Sequence, residues 1–329
     1  MPIFLPHLKQ YGFLDALPVS ICNVGSRKLS SADDYGSSGW EIFAPHLTIY
    51  GFDADADACA EANADLEQRQ VNWQEIHLPV AMSNAIGEST LYVTQNPMCS
   101  SLYPPDEAYL KRFAGLIELV GLDFTVELET TTLDAICASE AIDSIDFLQI
   151  DVQGADLLVL QGATDLLDRS VLAVQIEVEF APLYRNQPLF GEVDAFLRDR
   201  GFTLFDLTQA GHPRQISPLQ NRTQLLWGDA FYFREPLSNQ SPPQFKTPEH
   251  MLKLACIADV MHFPDYAIEL LIHLVQHYGH DRRYNCADAI VASLQQFPQL
   301  DLTNLPAIAA IRSRLGSPDL LQKQPPSPL

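Results

Sequence analysis

The chain has 329 residues, 47% hydrophobic and 19% charged, a balance typical of a folded globular protein and not of a disordered one. Lys and Arg total 20 against 42 Asp and Glu, giving a formal net charge of −22 at pH 7. So acidic a surface repels phosphate backbones and anionic lipid, which argues against nucleic acid and membrane surfaces as partners.

The opening stretch MPIFLPHLKQYGFLDALPVS has no basic start followed by an apolar run, so it does not read as a secretion signal. Nor is any run long and apolar enough to span a bilayer. Cys22, Cys59, Cys99, Cys137, Cys256 and Cys286 are scattered without a CxxC pair, as expected for reduced, mostly buried thiols of a cytoplasmic protein.

Short β-rich runs alternate with helical patterns, which predicts a parallel sheet flanked by helices. The first run, Val19 to Val24, leads into the loop GSRKLSSADDYGSSG and a short helical piece near Trp40. The second, Leu47 to Phe52, precedes ADADACAEANADLEQ, whose early acids suit the positive end of a helix. A third covers Glu75 to Met82. ESTLYVT and DFTVELETTTL then read as strands flanking QNPMCSSLYPPDEAYLKRF, an insertion expected over a crevice. The stretch IDFLQIDVQGADLLVLQGA supplies a fourth strand, a turn at Asp151-Val152-Gln153-Gly154, and a helix. A fifth strand, Val171 to Phe180, is followed by a helix around Gly191 to Arg200. GFTLFDL and GDAFYFRE have no helical pattern between them and are expected to pair antiparallel.

From Ser238 the composition changes. SNQSPPQFKTPEH reads as a linker ending in a helix start, with Thr247 as cap and Pro248 in the first turn. Helical patterns follow in EHMLKLACIADVMHF, PDYAIELLIHLVQHYG and RRYNCADAIVASLQQF, with a weaker one over 305–315. The expected division is an α/β domain over 1–237, a linker over 238–246, an all-helical extension over 247–316, and a disordered tail over 317–329. The apolar spacing of the extension requires a surface to pack on: the α/β domain, a second copy in a homo-oligomer, or another protein.

In an open α/β sheet the carboxyl ends of the strands face the ligand crevice. Gly25 follows the first strand, where a glycine admits close backbone approach. Asp53, followed by Ala54, ends the second; a carboxylate there can accept both hydroxyl protons of a ribose. Met82 and Ser83 end the third, where an apolar side chain can cover an adenine face, and Asp151 ends the fourth. A dinucleotide would need G-x-G-x-x-G and a nucleoside triphosphate G-x-x-x-x-G-K-[ST], and NVGSRKLSS supplies neither. A phosphate-free nucleoside carrying a positive sulfonium, S-adenosylmethionine, fits these strand ends. Its candidate binding residues are Asn23, Gly25, Ser26, Asp53, Ala54, Met82, Ser83 and Asp151.

Four segments, GFDADADAC, VAMSNAIGESTLYVTQNPMCSSLYPPD, TTLDAI with IDFLQIDVQGADLLVLQGA, and VQIEVEFAPLYRNQPLFGEVDAFLRDRGFTLFDL, resemble the FkbM-type methyltransferases in order and spacing. The resemblance spans about Val19 to Glu235. It implies a Rossmann-like class I methyltransferase sheet, mostly parallel with an antiparallel last strand. It also implies S-adenosylmethionine as methyl donor and O-methylation of a carbohydrate or other small metabolite. The family pattern at the fourth strand is roughly FLKIDVEGAE; here Gln149 stands for the lysine, Gln153 for the first glutamate and Asp156 for the second. Lysine and glutamate are thus lost together, leaving no lone charge. At the first strand the family pattern is DVGANxG, whereas this chain has Asn23 in place of the acid and GSRKLSS after Val24.

Methyl transfer needs in-line attack by the acceptor oxygen and a base for its proton. Asp151 and Glu177 are the candidate catalytic carboxylates. Glu177 and Glu179 alternate in QIEVEF and so share one sheet face; the competing reading has them capping helices or pairing with Arg185 or Arg198. Ser101, Glu179 and Tyr184 are the candidate acceptor contacts, against a proline-stabilised turn for Ser101 and plain packing for Tyr184. Glu269, His273 and His277 have a spacing that can hold a divalent cation, but HExxH and a fourth ligand are lacking, so they read as surface side chains and no metal is expected. The alternative to an enzyme is a catalytically inactive scaffold or regulatory protein of methyltransferase fold that binds a partner through its C-terminal helices. The two differ in whether NVGSRKLSS still admits the methionine end of the cofactor.

Overall fold

Most of the predicted strands and helices form where the pattern places them. The computed structural model describes residues 1–28, 34–216, 223–302 and positions 305, 306, 308, 309 and 311. A short helix, α1 (Leu5–Gln10), precedes β1 (Val19–Val24). β2 (Leu47–Asp53) runs into α2 (Ala56–Arg69), whose start is set by Asp55: its Oδ1 accepts from the amides of Asp57 and Ala58. β3 (Gln74–Pro79), β4 (Ala81–Met82) and β5 (Gly87–Thr94) follow, then the short helices α3 (Glu107–Leu110) and α4 (Ile117–Val120) and the long β6 (Leu122–Thr131). Next come α5 (Leu133–Ser139), β7 (Phe147–Ile150), α6 (Asp156–Gln161), α7 (Thr164–Arg169) and β8 (Ala173–Glu179). α8 (Phe190–Asp199), β9 (Phe202–Leu207), β10 (Ala210–His212) and β11 (Gln224–Arg234) complete the α/β part. α9 (Pro248–Val260), α10 (Pro264–Tyr278) and α11 (Ala287–Leu294) come last. The segments 305–315 and 317–329, read above as a weak helix and a tail, lie wholly or largely outside the described residues.

The chain divides into two compact units. One holds the described residues of Ser20–Asp34 and Thr48–Glu235; the other holds those of Met1–Val19, Tyr35–Leu47 and the chain from Pro236 on.

In the α/β unit eight strands form one sheet in the order β10-β11-β8-β7-β1-β2-β3, with β9 also paired to β11. β7 is parallel to both β1 and β8, and β2 is parallel to β3; β11 is antiparallel to β8, β9 and β10. The sheet is therefore mostly parallel with an antiparallel last strand, as expected. The third strand differs from its reading as one run. Pro79 offers no amide, the amide of Val80 turns back to the carbonyl of Leu78 at 2.9 Å, and the chain leaves the sheet. Ala81 and Met82 pair with β6 instead, in a second sheet of order β4-β6-β5.

One face of the main sheet carries Cys22, Val24, Phe52, Leu148, Ile150, Val174 and Ile176 against Val159 and Leu160 of α6, Leu166 and Leu167 of α7, and Val193 and Leu197 of α8. Each such aliphatic side chain contributes about 1.5–3 kcal/mol on full burial. The buried Arg234 closes the end of β11, donating to the carbonyls of Val171 at 3.2 Å, Leu167 at 2.5 Å and Arg200. A smaller cluster, Leu110, Phe113, Leu116 and Val120 on Ala181, Leu183, Tyr184 and Leu226, anchors the insertion.

In the helical unit α9 packs on α10, and α1 packs on α11 and α9. The carboxylate of Asp259 accepts from the amides of Ile3 at 2.9 Å and of Phe4 and Leu5 at 2.8 Å, so it ties the chain start to α9. Thr247 caps α9 through the amide of His250, with Pro248 in the first turn, as its sequence predicts. All six cysteines are free thiols, and Cys99 alone among them is partly exposed. No described helix is long and apolar enough to cross a membrane.

Candidate active site

The ends of β1, β2 and β7 are stitched together by backbone hydrogen bonds. The amide of Gly25 donates to the carbonyl of Phe52 at 2.8 Å, and that of Asp151 to the carbonyl of Val24 at 2.9 Å. Gly25 sits at φ +84°, and a Cβ there would stand 1.9 Å from the carbonyl oxygen of Asp151. A glycine is required at this crossing, by backbone angle and by space.

A cavity of about 570 Å³ opens over these ends. Of the residues anticipated from sequence, Gly25, Asp53, Ala54, Met82, Ser101 and Asp151 line it. The others stand behind its wall. Ser26 turns away, its Oγ 2.9 Å from Nδ1 of His77. Ser83 is buried, its amide bonded to the carbonyl of Thr131 and its own carbonyl packed where Gly162 has no side chain. Asn23 is buried with Oδ1 unpartnered. Glu177, Glu179 and Tyr184 do not reach the lining either, but two of them touch a residue that does.

That residue is Gln153, at φ +56° in the turn after β7. Its Nε2 donates to Asp151 Oδ1 at 2.7 Å and to Glu177 Oε2 at 2.8 Å. The Tyr184 hydroxyl lies 3.3 Å from Gln153 Oε1 and 2.7 Å from the carbonyl oxygen of Cys99, so it joins this turn to the insertion loop. A glutamate at 153 would place a third carboxylate here; the amide's two N–H groups instead satisfy one carboxylate each. Left-handed geometry at a non-glycine residue is strained, and the contacts of Gln153 hold it. Asp156 shapes the same turn, accepting from the amides of Val152 at 3.0 Å and Gly154 at 2.9 Å. Burial and the nearby Asp151 push its carboxyl up to about 7, against the pull of those amides.

Burial, and after it the charges of Asp151, Glu179 and Asp156, push Glu177 well above the usual carboxylate range. Glu179 is raised in the same direction by burial, Asp156 and Asp151. Neither salt-bridges to Arg198, which grips Asp194. Asp53 is raised by burial, while the Asp55 amide on its Oδ1 at 2.8 Å and the charge of Arg27 oppose the shift.

Several lining residues escaped sequence reasoning. Arg27 and Asp55 form an ion pair of 2.9 Å at the cavity wall. Leu91 and Val93 of β5 face Phe124, Val126 and Leu128 of β6 and make one side apolar, with Phe124 53% exposed. The alternation of apolar and polar residues along both strands was the available signal. No cluster able to hold a metal exists among the described residues, and His273 and His277 merely stack at 4.2 Å in the helical unit.

A glycine-crossed, mostly parallel sheet with an antiparallel last strand and a crevice at its strand ends is the architecture of class I methyltransferases. Residues 35–204, just over half of the chain, match the family described as the Methyltransferase FkbM domain, and the chain belongs to that family. The match begins after the first-strand loop, so it includes Asp53, Met82, Asp151, Glu177 and Tyr184 but not Asn23 to Ser26. No curated protein matches the chain. Among solved structures, a magnesium protoporphyrin IX methyltransferase from Synechocystis PCC 6803 with bound SAM is 12% identical over 70% of this chain and 81% of its own, with a TM-score of 0.34. Methyltransferase FkbM from Methylobacillus flagellatus KT is 13% identical over 66% of this chain and 43% of its own, with a TM-score of 0.36. The N-terminal domain of EvdMO1 with SAH bound is 12% identical over 70% and 80%, with a TM-score of 0.31. Family membership rests on the sequence match alone.

Proposed function

We propose that the protein transfers a methyl group from S-adenosylmethionine to a hydroxyl of a small acceptor. The observation that carries this reading is the meeting of Gly25, Asp53 and Asp151 around one cavity. Asp53 would hold the ribose of such a nucleoside, Ala54 and Met82 would flank its adenine, and Asp151 would face its sulfonium. The positive sulfonium is favoured by the acidic lining.

Held there, S-adenosylmethionine would supply the methyl group for in-line transfer to the acceptor oxygen and would leave as neutral S-adenosylhomocysteine. Asp151 takes the hydroxyl proton, a role that contributes about 10²–10⁴-fold. Glu177 and Gln153 orient Asp151 from behind, and Tyr184 orients Gln153. The apolar side formed by Leu91, Val93, Phe124, Val126 and Leu128 supports an acceptor with an apolar face beside its hydroxyl, a carbohydrate derivative or other small metabolite, with Ser101 near its edge.

Thermal-shift titration tests the cofactor. S-adenosylmethionine or S-adenosylhomocysteine at about 100 times Kd should add about 2.7 kcal/mol of stability. Asp53→Ala should abolish that gain. No gain with either ligand, or a gain with a nicotinamide dinucleotide instead, overturns the reading.

A further inference from the structure

We propose that Arg27 grips the α-carboxylate at the methionine end of the cofactor, an inference that rests on the cofactor reading above. The loop after β1 has Ser26, Arg27 and Lys28 in succession. Two of the three are drawn away from the cavity. Ser26, 2% exposed, is fastened to His77, and Lys28 Nζ reaches Glu75 at 2.6 Å and Asp34 at 3.1 Å. His77 Nε2 in turn lies 3.0 Å from Glu75, so both anchors belong to one buried network.

Arg27, between them, is the residue of the three that lines the cavity. Its Nη1 donates to Asp55 Oδ2 at 2.9 Å, and the two side chains are 31% and 37% exposed. Asp55 is itself fixed as the cap of α2 through its other oxygen. A guanidinium has five N–H donors in a planar fork, so it can keep Asp55 and still take a second carboxylate.

Electrostatics selects the same contact. Asp53, Asp55, Asp123 and Asp151 line the cavity, and among the described lining residues Arg27 is the sole Lys, Arg or His. The sulfonium and amino group of the cofactor suit those acids. Its carboxylate is repelled by them everywhere except at Arg27.

Calorimetry with two ligands isolates the contact. S-adenosylhomocysteine and 5′-methylthioadenosine share adenosine and a neutral thioether sulfur, but the second lacks the amino-acid carboxylate. The parent should bind S-adenosylhomocysteine more tightly. Arg27→Ala should weaken it by about tenfold or more, the scale of a charged hydrogen bond, and leave 5′-methylthioadenosine within about twofold. Retained binding of the second ligand also certifies that the variant is folded, and Arg27→Lys should recover part of the loss. Equal weakening of both ligands, or of neither, overturns the assignment. A parent that binds neither ligand removes the cofactor reading and this inference together.

Discussion

Replacing Glu177 by Gln tests the proposal that Asp151, and not Glu177, takes a proton from the acceptor. Gln153 Nε2 donates to Asp151 at 2.7 Å and to Glu177 at 2.8 Å. The bonded oxygens therefore lie roughly 5 Å apart, where two full charges would repel by about 3 kcal/mol at an effective dielectric of about 20. Burial and three neighbouring carboxylates push Glu177 upward, a shift that favours its protonated form and leaves Asp151 as the proposed base. A glutamine at 177 has the shape of the protonated glutamate and can donate to Asp151 in its place. Glu177→Gln should hold kcat/KM within about threefold, whereas Asp151→Asn should lose about 10²–10⁴-fold.

Stability carries a second signature. Because the folded-state pKa of Glu177 is raised, the folded chain holds a proton that the unfolded chain has released once pH exceeds the usual glutamate value. Stability then falls with rising pH by about 1.4 kcal/mol per unit until Glu177 itself ionises. Glu177→Gln removes that slope. Urea unfolding of parent and variant should agree near about pH 4, with the variant gaining steadily as pH rises. An activity loss in Glu177→Gln as deep as in Asp151→Asn, or a stability difference that does not grow with pH, refutes the reasoning.

Gly25→Ala should lower the melting temperature and abolish S-adenosylhomocysteine binding, since its Cβ meets the Asp151 carbonyl at 1.9 Å and the φ of +84° alone costs about 1–3 kcal/mol. Arg234→Met should cost about 3 kcal/mol or more in urea unfolding, because it strands the buried carbonyls of Val171, Leu167 and Arg200, yet leave ligand affinity intact. Phe124→Ser should change stability by less than about 0.5 kcal/mol, its ring being half-exposed, while raising KM for the acceptor and not for the methyl donor.

The strands that line the cavity were legible because their apolar runs are bounded by Gly25, Asp53 and Asp151, and because strand ends in a parallel sheet face one crevice. What was not legible is which neighbours of those residues turn inward. The direction of Ser83 is set by the pairing of β4 with β6, a contact made across 49 residues of chain between Met82 and Thr131. Ser26 and Lys28 are drawn off by His77 and Glu75 of β3, and no local pattern connects those positions. Local periodicity reports which face a residue shares with its own strand, but not which side chain on another strand will hold it.

The departures from the family pattern show the same limit. Read along the chain, Gln149 and Gln153 replace a lysine and a glutamate as a pair. The register separates them. Gln149 lies opposite Asn23 across β1 and β7, so the neutral amide in place of the lysine faces the neutral amide in place of the acid. Asn23 Oδ1 and Gln149 Oε1 both lack a hydrogen-bond partner, the residue of a position where the family pattern places opposite charges. The exchange removes the cost of desolvating two charges, while each unpartnered amide oxygen carries a smaller desolvation cost of its own. Gln153 belongs elsewhere, between Asp151 and Glu177, where an amide can serve two carboxylates at once. The two substitutions are therefore independent. Restoring Asn23→Asp together with Gln149→Lys should leave the pH dependence of methyl transfer unchanged, whereas Gln153→Glu should alter it.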